Sequence, residues 1–392
     1  MKKALVVGGN SGIGLAITVA LLDKKYDYVY IVGKDAPLDS DIPVEKLSEF
    51  KKRTNFQKLN LLSENYDIFD AISDIDTLII TAGFGRVASF DELTEPEITN
   101  LIKCNMLALI RVLKKYYDRI HCGEDFYCAV MGSIAGHVAS PLFSVYGATK
   151  SGLCSFIENV NAELEYEGYK NRILDVSPGS LKGTNFNGTG NDISRIRDVA
   201  ETVISKMLSR ETLYIPQYDD VYKGVIDRYS RDKAEFAHES YDYKIKQGRK
   251  SSSAQVVVGY LSGTFDLFHI GHLNLLRRAK EYCDYLIVGV HESGSWKGKE
   301  TYIPYNERAE IVGSIKYVDK VVKSFTEDSD AYEALHYDKL FVGSDYKGSE
   351  RFNRYEKYFE DKGVEIVYFP YTSGTSSTQL REMISTQLKN KK

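Results

Sequence analysis

Residues 4–14 read ALVVGGNSGIG, and this stretch decides the fold of the first half of the chain. Four apolar residues end at Gly8, and glycines at 8, 12 and 14 lead into a segment with helical spacing. Such a turn between a strand and a helix lets backbone N–H groups approach a pyrophosphate. The spacing is GxxxGxG and not the common GxGxxG, so a tight turn without a ligand is the alternative interpretation.

The same alternation of strand and helix continues on both sides of a polar segment at 218–253. That segment ends in QGRKSSS (247–253), which we interpret as a flexible linker after a polar helix. The sequence therefore predicts an α/β protein of two doubly wound parallel-sheet (Rossmann-like) domains joined by a polar linker. The predicted boundaries are 1–235 for the first domain, 236–254 for the linker and 255–392 for the second domain. Strands are expected at 4–7, 28–32, 77–81, 126–131, 172–176, 212–215, 255–261, 285–290, 339–342 and 365–369.

Composition excludes several classes of protein. Of 392 residues, 43% are hydrophobic and 27% are charged, which is typical of a globular protein. The net charge of −4 gives no electrostatic case for a nucleic-acid partner or an anionic membrane. No apolar run approaches the roughly 18–20 residues of a membrane span. Five cysteines without a CxxC motif indicate reduced thiols, and we expect a cytoplasmic protein.

A second group of residues points to chemistry on a carbonyl. Tyr146 and Lys150 stand four residues apart in YGATK, so a helix places the phenol and the ammonium on one face. A lysine beside a tyrosine favours the phenolate, which would let Tyr146 act as a general acid or base near neutral pH. Ser133 follows an apolar strand, where its hydroxyl can polarise a carbonyl. Each residue alone would be an ordinary surface side chain, but the combination after a glycine-rich turn is specific.

Residues 1 to about 220 resemble a short-chain dehydrogenase/reductase. The resemblance rests on the glycine-rich turn, Thr81-Ala82-Gly83, Asn105, Ser133, Tyr146, Lys150 and Pro178-Gly179. It implies a seven-stranded doubly wound sheet and hydride transfer, with Tyr146 as proton donor and Ser133 orienting the carbonyl. It also implies that Lys150 contacts the nicotinamide ribose and that Asn105 positions a water in a proton relay. The family's Asn-Ala-Gly is Thr-Ala-Gly here, and we expect the Ala-Gly backbone to preserve the cofactor approach.

The end of the second strand predicts the cofactor. An NAD enzyme carries an acid there for the ribose 2′-hydroxyl. Here Gly33 is expected to open space and Lys34 to offer positive charge to a 2′-phosphate, which predicts NADPH; a solvated surface lysine is the alternative. The other residues expected to bind this cofactor are Gly8, Asn10, Ser11, Gly12, Ile13, Gly14, Asn60, Leu61, Ala82, Gly83, Pro178 and Gly179.

In the second half, residues 263–272 read GTFDLFHIGH, after a strand and before a helix. Two histidines at i and i+3 can present N–H donors to an α-phosphoryl group that gains charge during displacement. A zinc site is a weak alternative because no third ligand stands nearby. Residues 372–378 (TSGTSST) form a second phosphate-binding candidate, since a hydroxyl-rich, glycine-containing turn starts the last helix.

Residues 255–385 resemble the HxGH cytidylyltransferases, and most closely the glycerol-3-phosphate cytidylyltransferase type. That resemblance implies CTP, Mg²⁺ and displacement of pyrophosphate by an alditol phosphate, with His269 and His272 stabilising the transition state. No residue is assigned to the metal. Tyr371 replaces the family's leading arginine, and Glu300 replaces the second lysine of a pair, so the acceptor end is expected to differ. The residues expected to bind the nucleotide are Gly263, Thr264, Phe265, Asp266, His269, His272, Lys297, Lys299, Arg308, Asp345, Thr372, Ser376 and Ser377.

A reductase fused to a cytidylyltransferase suggests two consecutive steps. A ketose phosphate would be reduced to an alditol phosphate, which would then react with CTP to give a CDP-alditol for teichoic acid or capsular polymers. The order could be reversed, and ribulose 5-phosphate, xylulose 5-phosphate and fructose 6-phosphate all remain candidates. One alternative is a single-activity nucleotidyltransferase with a regulatory NADPH-binding domain, and another is an adenylyltransferase. We also expect a homo-oligomer, either a dimer or a tetramer, from the habits of both families.

Overall fold

The chain forms two compact units, Met1–Gln255 and Val256–Lys392. In this computed structural model the described residues are 2–63, 65–184, 186, 190–247, 256–293 and 301–370. Each unit is built on one parallel β-sheet with helices between the strands. The predicted fold class, two doubly wound α/β sheets, is therefore confirmed.

The first unit carries a seven-stranded sheet of order β3-β2-β1-β4-β5-β6-β7. Every neighbouring pair of its strands is parallel. The strands are β1 (Lys3–Val7), β2 (Tyr28–Gly33), β3 (Thr54–Lys58), β4 (Thr77–Ile80), β5 (Tyr127–Met131), β6 (Ile173–Val176) and β7 (Leu213–Tyr214). The helices are α1 (Gly12–Asp23), α2 (Val44–Arg53), α3 (Ile68–Ala71), α4 (Glu95–Ile102), α5 (Ala108–Lys115), α6 (Tyr117–Ile120), α7 (Ser144–Tyr166), α8 (Arg197–Leu208), α9 (Lys223–Arg231) and α10 (Lys233–Lys246).

The central strand β1 is buried on both faces, which explains its unbroken apolar sequence. Ala4 and Val6 pack with residues of α1 and α8 in one apolar cluster. Leu5 and Val7 point to the opposite face and pack with residues of α5 and α7. Full burial of one valine or leucine side chain contributes about 1.5–3 kcal/mol to folding. The two clusters hold the sheet rigid, so the loops at its carboxyl edge have fixed starting points.

The second unit carries a five-stranded parallel sheet of order β10-β9-β8-β11-β12. Its strands are β8 (Val258–Gly263), β9 (Tyr285–Val290), β10 (Lys320–Lys323), β11 (Lys339–Gly343) and β12 (Glu365–Phe369). Its helices are α11 (Ile270–Glu281), α12 (Tyr305–Gly313), α13 (Asp328–Leu335) and α14 (Glu350–Phe359). The strand order reverses between β8 and β11, and ligands of open α/β sheets bind at the carboxyl ends of strands at such a reversal.

Two edge strands were not expected from the sequence. Residues 54–58 (TNFQK) form β3, and residues 320–323 (KVVK) form β10. Both lie at the edge of their sheet, and their side chains are half-buried or exposed. An edge strand has only one partner and needs no apolar run, so hydrophobic periodicity does not reveal it.

The predicted linker also differs from the structure. Its first residues, 236–246, belong to α10, which begins at Lys233. Asp232 accepts hydrogen bonds from the N–H groups of Ala234 and Glu235 at 2.9 Å and so caps the helix. Lys244 near the helix end is buried against the same unit. The polar composition of this segment did not predict the contact, because only two side chains of the helix, Phe236 and Lys244, are buried.

Candidate active sites

The glycine-rich turn between β1 and α1 packs against the end of β4. Gly8 has φ +88°, and its N–H donates to the Val32 carbonyl at 2.7 Å. A Cβ atom at Gly8 would lie 2.6 Å from the Ala82 nitrogen, and one at Gly14 would lie 2.1 Å from the Gly8 oxygen. Both positions therefore require glycine for packing within the turn. The close approach leaves the backbone of the turn as the surface that a ligand would meet.

The first turn of α1 offers backbone donors at this edge. Gly12 begins the helix with φ +50°, and Ser11 precedes it in an extended conformation without a side-chain capping bond. Ile13 packs against the apolar cluster beneath the sheet and fixes the helix there. Helix N-termini with open N–H groups bind anions. The arrangement fits the pyrophosphate of a dinucleotide.

Thr81 stands where the family resemblance places an asparagine, and it joins two strand ends. Its N–H and its hydroxyl both donate to the Val7 carbonyl, at 2.8 and 3.2 Å. These two bonds join the end of β4 to the end of β1. Gly83, two residues on, has φ +156°, and a Cβ atom there would lie 3.0 Å from Asn105 Oδ1. The Thr-Ala-Gly sequence therefore keeps the backbone close to the glycine-rich turn, and preservation of the cofactor approach stays a prediction.

The expectation that Gly33 opens space beside the second strand is wrong. A Cβ atom at Gly33 would lie 2.7 Å from Asn10 Oδ1, so the Asn10 side chain fills the space that we expected to be open. Lys34 follows β2 directly and is exposed at the carboxyl edge. The prediction of a 2′-phosphate contact therefore depends on the charge of Lys34 and not on a gap at Gly33.

Asn60 and Leu61 follow β3 beside this position. The Leu59 N–H donates to the Gly33 carbonyl at 2.8 Å, which brings the end of β3 against the end of β2. Asn60 Oδ1 accepts from the Leu62 N–H at 3.0 Å, and Leu61 packs against the apolar cluster. Both residues thus lie at the edge where Lys34 lies, as the adenine side of a dinucleotide site would require.

Tyr146 and Lys150 lie on the buried face of α7, with Ser133 directly after β5. The exposed fraction is 8% for Tyr146 and 2% for Lys150. Lys150 Nζ donates to the Met131 carbonyl at 2.7 Å and lies 5.8 Å from the centre of the Tyr146 ring. Ser133 hydrogen-bonds Tyr146, and its own hydroxyl accepts from the Ala135 N–H at 3.2 Å. The structure brings the three predicted residues together.

The protonation of this group differs from the expectation. Burial raises the pKa of Tyr146 to about 12, although its hydrogen bond with Ser133 acts in the opposite direction. Burial lowers the pKa of Lys150 to about 8. The expectation that Lys150 makes Tyr146 a phenolate near neutral pH is therefore wrong, because desolvation disfavours both charged forms. A protonated phenol is the form that a proton donor needs.

Asn105 lies in a π-helical turn, Lys103–Leu107, between α4 and α5. It is fully buried, and its amide holds one residue by both backbone groups. Asn105 Oδ1 accepts from the Phe84 N–H at 2.9 Å, and Asn105 Nδ2 donates to the Phe84 carbonyl at 2.7 Å. These bonds position the loop after Gly83. The role implied by the resemblance, holding a water, stays a prediction.

Two aromatic residues near Tyr146 were not anticipated. The ring centres of Phe143 and Phe186 lie 5.1 and 5.5 Å from that of Tyr146. Gly85 faces the same ring, because a Cβ atom there would lie 2.8 Å from Tyr146 Cδ2. The phenol therefore lies between apolar walls that reduce the access of water. Sequence spacing could not show this, since the three residues come from three separate loops.

A polar cluster beneath Ser133 was also missed. His137 Nε2 lies 2.9 Å from Ser177 Oγ and 3.6 Å from Asp175 Oδ2, and Ser177 Oγ donates to Asp175 Oδ1 at 2.8 Å. The nearby Asp175 carboxylate raises the pKa of His137 to about 10. Potential ligand atoms of His137, Cys154 and Asp175 lie within 4.8 Å of one another. Because Ser177 hydrogen-bonds both His137 and Asp175, we interpret the cluster as an anchor between the Ser133 turn and β6.

Pro178 and Gly179 follow β6 next to the same turn. The Ile134 N–H donates to the Pro178 carbonyl at 3.0 Å. Gly179 is in close contact with Tyr222, since a Cβ atom at Gly179 would lie 1.5 Å from the Tyr222 hydroxyl oxygen. The Pro-Gly pair therefore lies beside Ser133, where the resemblance places the cofactor.

In the second unit, β8 leads into a turn stabilised by Asp266. Its carboxylate accepts from the N–H groups of Tyr302 and Ile303 at 3.0–3.1 Å. Phe265 has φ +52°, and its ring packs against Gly263, where a Cβ atom would lie 2.9 Å from Phe265 Cε2. Asp266 thus joins the turn of residues 264–269 to the loop before α12. Asp266 is buried and hydrogen-bonds backbone N–H groups, so it shapes the site by fixing these loops.

The two histidines lie side by side at the start of α11. Their ring centres are 4.0 Å apart. His269 Nδ1 accepts from the Gly271 N–H at 3.0 Å, which leaves the proton of a neutral ring on Nε2 as a donor. His272 Nδ1 is buried without a hydrogen-bond partner among the described residues. An unsatisfied buried nitrogen is costly, so its presence is consistent with a ligand that supplies a partner.

Burial favours the neutral form of both histidines. Burial lowers the pKa of His269, and burial together with the neighbouring His269 lowers the pKa of His272 to about 4. A neutral imidazole donates from one nitrogen and accepts at the other. The pair can therefore offer one N–H from each ring to a phosphoryl oxygen, but not two positive charges.

Arg308 supports the turn from below. It is fully buried, and it donates to the carbonyls of Ile303 (2.8 Å), His291 (2.8 Å), Glu292 (2.9 Å) and Thr264. These carbonyls belong to the loops after β8 and β9 and to the loop before α12. Burial lowers the pKa of the Arg308 guanidinium, which the four acceptors hold in place. Arg308 therefore shapes the site through the backbone.

Of the other residues predicted to bind the nucleotide, the structure describes Asp345. Asp345 is exposed in the turn that follows β11, and a Cβ atom at Gly343 would lie 2.4 Å from its Oδ1. The other five lie outside the described residues, so their assignment stays a prediction: Lys297, Lys299, Thr372, Ser376 and Ser377.

Within the described parts of the chain, every helix is too short or too polar to cross a membrane.

The family profile described as short chain dehydrogenase matches residues 2–193, and the profile described as cytidylyltransferase-like matches residues 260–383.

Individual relatives divide in the same way. Glycerol-3-phosphate cytidylyltransferase of Staphylococcus aureus is 37% identical over 124 residues, which cover 31% of this chain and 89% of that protein. Carbonyl reductase family member 4 of Xenopus tropicalis is 24% identical over 231 residues, which cover 57% of this chain and 97% of that protein. A crystal structure of a short chain dehydrogenase from Burkholderia cenocepacia in complex with NADP is 18% identical, with a TM-score of 0.49 over 61% of this chain and 99% of that chain. The chain therefore belongs to two enzyme families, with a short-chain dehydrogenase domain followed by a cytidylyltransferase domain related to the glycerol-3-phosphate cytidylyltransferases.

Proposed function

We propose that this protein reduces a ketose phosphate with NADPH and couples the resulting alditol phosphate to CTP, which yields a CDP-alditol and pyrophosphate. The observation that carries the proposal is the presence of two separate sites on one chain. Ser133, Tyr146 and Lys150 meet beside a glycine-rich turn in the first unit. His269 and His272 pair at a helix start in the second unit. An alditol phosphate is the product of the first chemistry and a nucleophile for the second.

In the reductase site, the chain's residues handle the proton and the orientation of the substrate. NADPH, when bound, supplies the hydride to the carbonyl carbon. Tyr146, which is protonated over the whole physiological range, gives its proton to the carbonyl oxygen while the Ser133 hydroxyl orients that oxygen. Lys150 is held by the Met131 carbonyl, where it would contact the cofactor ribose. Lys34 would contact the 2′-phosphate at the far end of the site.

In the transferase site, an oxygen of the alditol phosphate forms a bond to the α-phosphorus of CTP while the bond to the pyrophosphate oxygen breaks. His269 and His272 would donate hydrogen bonds to the oxygens that gain charge. Lys297, Lys299, Thr372, Ser376 and Ser377 would hold the phosphates, and Asp345 would contact the nucleotide. Mg²⁺ would accompany CTP, and the product would be a donor for teichoic acid or capsular polymers.

The decisive experiment gives the purified protein NADPH, CTP and a panel of ketose phosphates, with mass spectrometry of the products. Ribulose 5-phosphate, xylulose 5-phosphate and fructose 6-phosphate form the panel, and ATP replaces CTP in a parallel series. A CDP-alditol that requires both NADPH and CTP supports the proposal. An alditol phosphate in the absence of CTP places reduction first, whereas a CDP-ketose in the absence of NADPH reverses the order.

Two other outcomes would overturn the proposal. Nucleotide transfer from a supplied alditol phosphate, with no NADPH oxidation for any ketose phosphate, would make the first domain a regulatory NADPH-binding module. An ADP-linked product formed from ATP would make the second domain an adenylyltransferase. A light-scattering measurement at micromolar concentration tests the expected dimer or tetramer in the same preparation.

A further inference from the structure

The segment after β7, residues 218–246, lies beyond the part of the chain that matches the short chain dehydrogenase profile. It contains a π-helical turn, Tyr218–Tyr222, followed by α9 and α10. The segment belongs to the first compact unit. Two of its side chains, Lys244 and Tyr222, contact loops that carry residues of the reductase site.

Lys244 on α10 holds the loop that leads into α7. Its exposed fraction is 7%, and its Nζ donates to Ser140 Oγ at 2.7 Å and to the Pro141 carbonyl at 2.6 Å. The same Nζ lies 5.2 Å from the centre of the Phe143 ring. A buried ammonium is costly unless its hydrogen bonds are satisfied, so Lys244 stays with these two acceptors. The same hydrogen bonds hold Ser140 and Pro141 in place.

The loop that Lys244 holds is strained and lies next to Tyr146. Leu142, within this loop, is buried and has φ +65°, a left-handed conformation that costs a non-glycine residue about 1–2 kcal/mol. From the other side, the Ala88 N–H donates to the Leu142 carbonyl at 2.9 Å. Phe143 directly precedes α7, and its ring centre is 5.1 Å from that of Tyr146. The contacts of Lys244 therefore help to set the position of Phe143, which packs against the Tyr146 ring.

The second contact lies at the Pro-Gly pair. The Tyr222 hydroxyl lies against Gly179, at a distance that leaves no space for a Cβ atom. Pro178, next to it, accepts a hydrogen bond from Ile134 in the turn that carries Ser133. The segment thus touches the loop before Tyr146 with one end and the loop beside Ser133 with the other.

We propose that residues 218–246 form part of the reductase active site, with Lys244 as a positioning residue that holds the loop 140–143 and so sets Phe143 against Tyr146. The proposal rests on the proposed reductase function for its kinetic test. Lys244 acts through the loop and not on the substrate. This assigns a positioning role to a stretch that the sequence predicted to be a polar helix and the start of a linker.

The test compares Lys244→Met with Lys246→Met, a control that removes an exposed lysine from the same helix. In the full chain, Lys244→Met should lower kcat for NADPH oxidation by about tenfold or more, because small displacements of reacting groups reduce rates strongly. The KM for NADPH and the CTP-dependent release of pyrophosphate should stay close to their wild-type values. Lys244→Arg, which keeps the charge and the donors, should restore part of kcat. The control should match the wild type in every measurement.

Hydrogen exchange provides a readout that needs no substrate. Peptides covering 138–146 should exchange faster in Lys244→Met than in Lys246→Met, while peptides of β8 and β9 should not change. Wild-type exchange together with wild-type kcat in Lys244→Met would overturn the inference. If Lys244→Met fails to fold, Ser140→Ala removes one acceptor from the same contact and should produce the same changes to a smaller extent. If the wild-type protein fails to oxidise NADPH in the presence of any of the ketose phosphates, the proposed function is contradicted instead. Hydrogen exchange alone would then test whether Lys244 holds the loop 140–143.

A second pair of variants tests the contact of Tyr222. Gly179→Ala should lower NADPH oxidation, since the new methyl group meets the Tyr222 ring and hydroxyl. Tyr222→Ala in the same chain should restore part of that activity by making room. An equal loss in Gly179→Ala with and without Tyr222→Ala would show that Tyr222 is not the group against which Gly179 packs.

Discussion

The ammonium nitrogen of Lys150 lies 5.8 Å from the centre of the Tyr146 ring and is held by the Met131 carbonyl at 2.7 Å. Lys150 is therefore anchored to the end of β5 by a hydrogen bond and lies over the Tyr146 ring. Burial shifts the pKa of each group toward its neutral form: Tyr146, with a pKa of about 12, keeps its proton at neutral pH, and the pKa of Lys150 falls to about 8. This relationship fits reduction of a carbonyl, where a phenol must give a proton.

Tyr146→Phe should abolish NADPH oxidation and leave the transferase intact. The substitution removes the only atom of that side chain that can carry the proton, while the ring keeps its contacts with Phe143 and Phe186. Loss of a positioned acid costs about 10²–10⁴-fold in rate. Pyrophosphate release from a supplied alditol phosphate should stay at the wild-type rate, because His269 and His272 belong to another unit. Near-normal NADPH oxidation by this variant would remove Tyr146 from the mechanism.

The pH dependence of reduction should show a decline above about pH 8. Burial lowers the pKa of Lys150 to about 8, so its charged form, which would contact the cofactor ribose, is lost as the pH rises through that value. Tyr146, with a pKa of about 12, stays protonated throughout. The measurement is kcat/KM for the ketose phosphate from pH 6 to 10. A profile that stays flat to pH 10 would contradict the role of Lys150.

Lys34→Ala should weaken the preference for NADPH over NADH by about tenfold, since a charge-assisted contact to a phosphate contributes roughly 1–2 kcal/mol. Dissociation constants measured by cofactor fluorescence give the ratio for each variant. Lys52→Ala, which removes an exposed lysine of α2, is the matched control and should leave the ratio unchanged. Equal binding of both cofactors by the wild-type protein would show that Lys34 is an ordinary surface lysine.

His272→Gln should lower CTP-dependent pyrophosphate release by about 10²-fold or more, which is the usual effect of removing one donor to a charged transition state. NADPH oxidation should not change. Because burial lowers the pKa of His272 to about 4, the wild-type transferase rate should show no inflection near pH 6.5 that this residue could explain. Retention of the wild-type rate by His272→Gln would assign the buried pair a purely structural role.

Arg308→Met should destabilise the second unit by about 3 kcal/mol or more, since four part-buried carbonyls would lose the guanidinium donor that joins them. Hydrogen exchange of β8 and β9 in the full chain measures the change directly. Arg354→Met, which removes an exposed arginine of α14, serves as the control for the loss of charge. Unchanged exchange in β8 and β9 would mean that other groups hold these loops.

Features encoded by local spacing were predictable from the sequence. The glycine-rich turn, the four-residue interval between Tyr146 and Lys150, and the HxGH motif each depend on residues that are neighbours along the chain. One turn or one helix face places such residues together, whatever the rest of the protein does. The same locality explains the buried strands: their apolar runs indicate burial on both faces before any partner strand is known.

Features that join distant residues became visible only in the folded chain. Arg308 contacts carbonyls from three loops, and Lys244 reaches a loop about a hundred residues earlier, so neither contact leaves a periodic signal. The protonation of Tyr146 and Lys150 likewise follows from the packing around them, since their sequence interval suggested the opposite shift for the phenol. Spacing along the chain determined which groups could meet on one helix or turn. Burial and long-range hydrogen bonding determined their charge, their orientation and the residues that hold them, because desolvation depends on everything packed around a group.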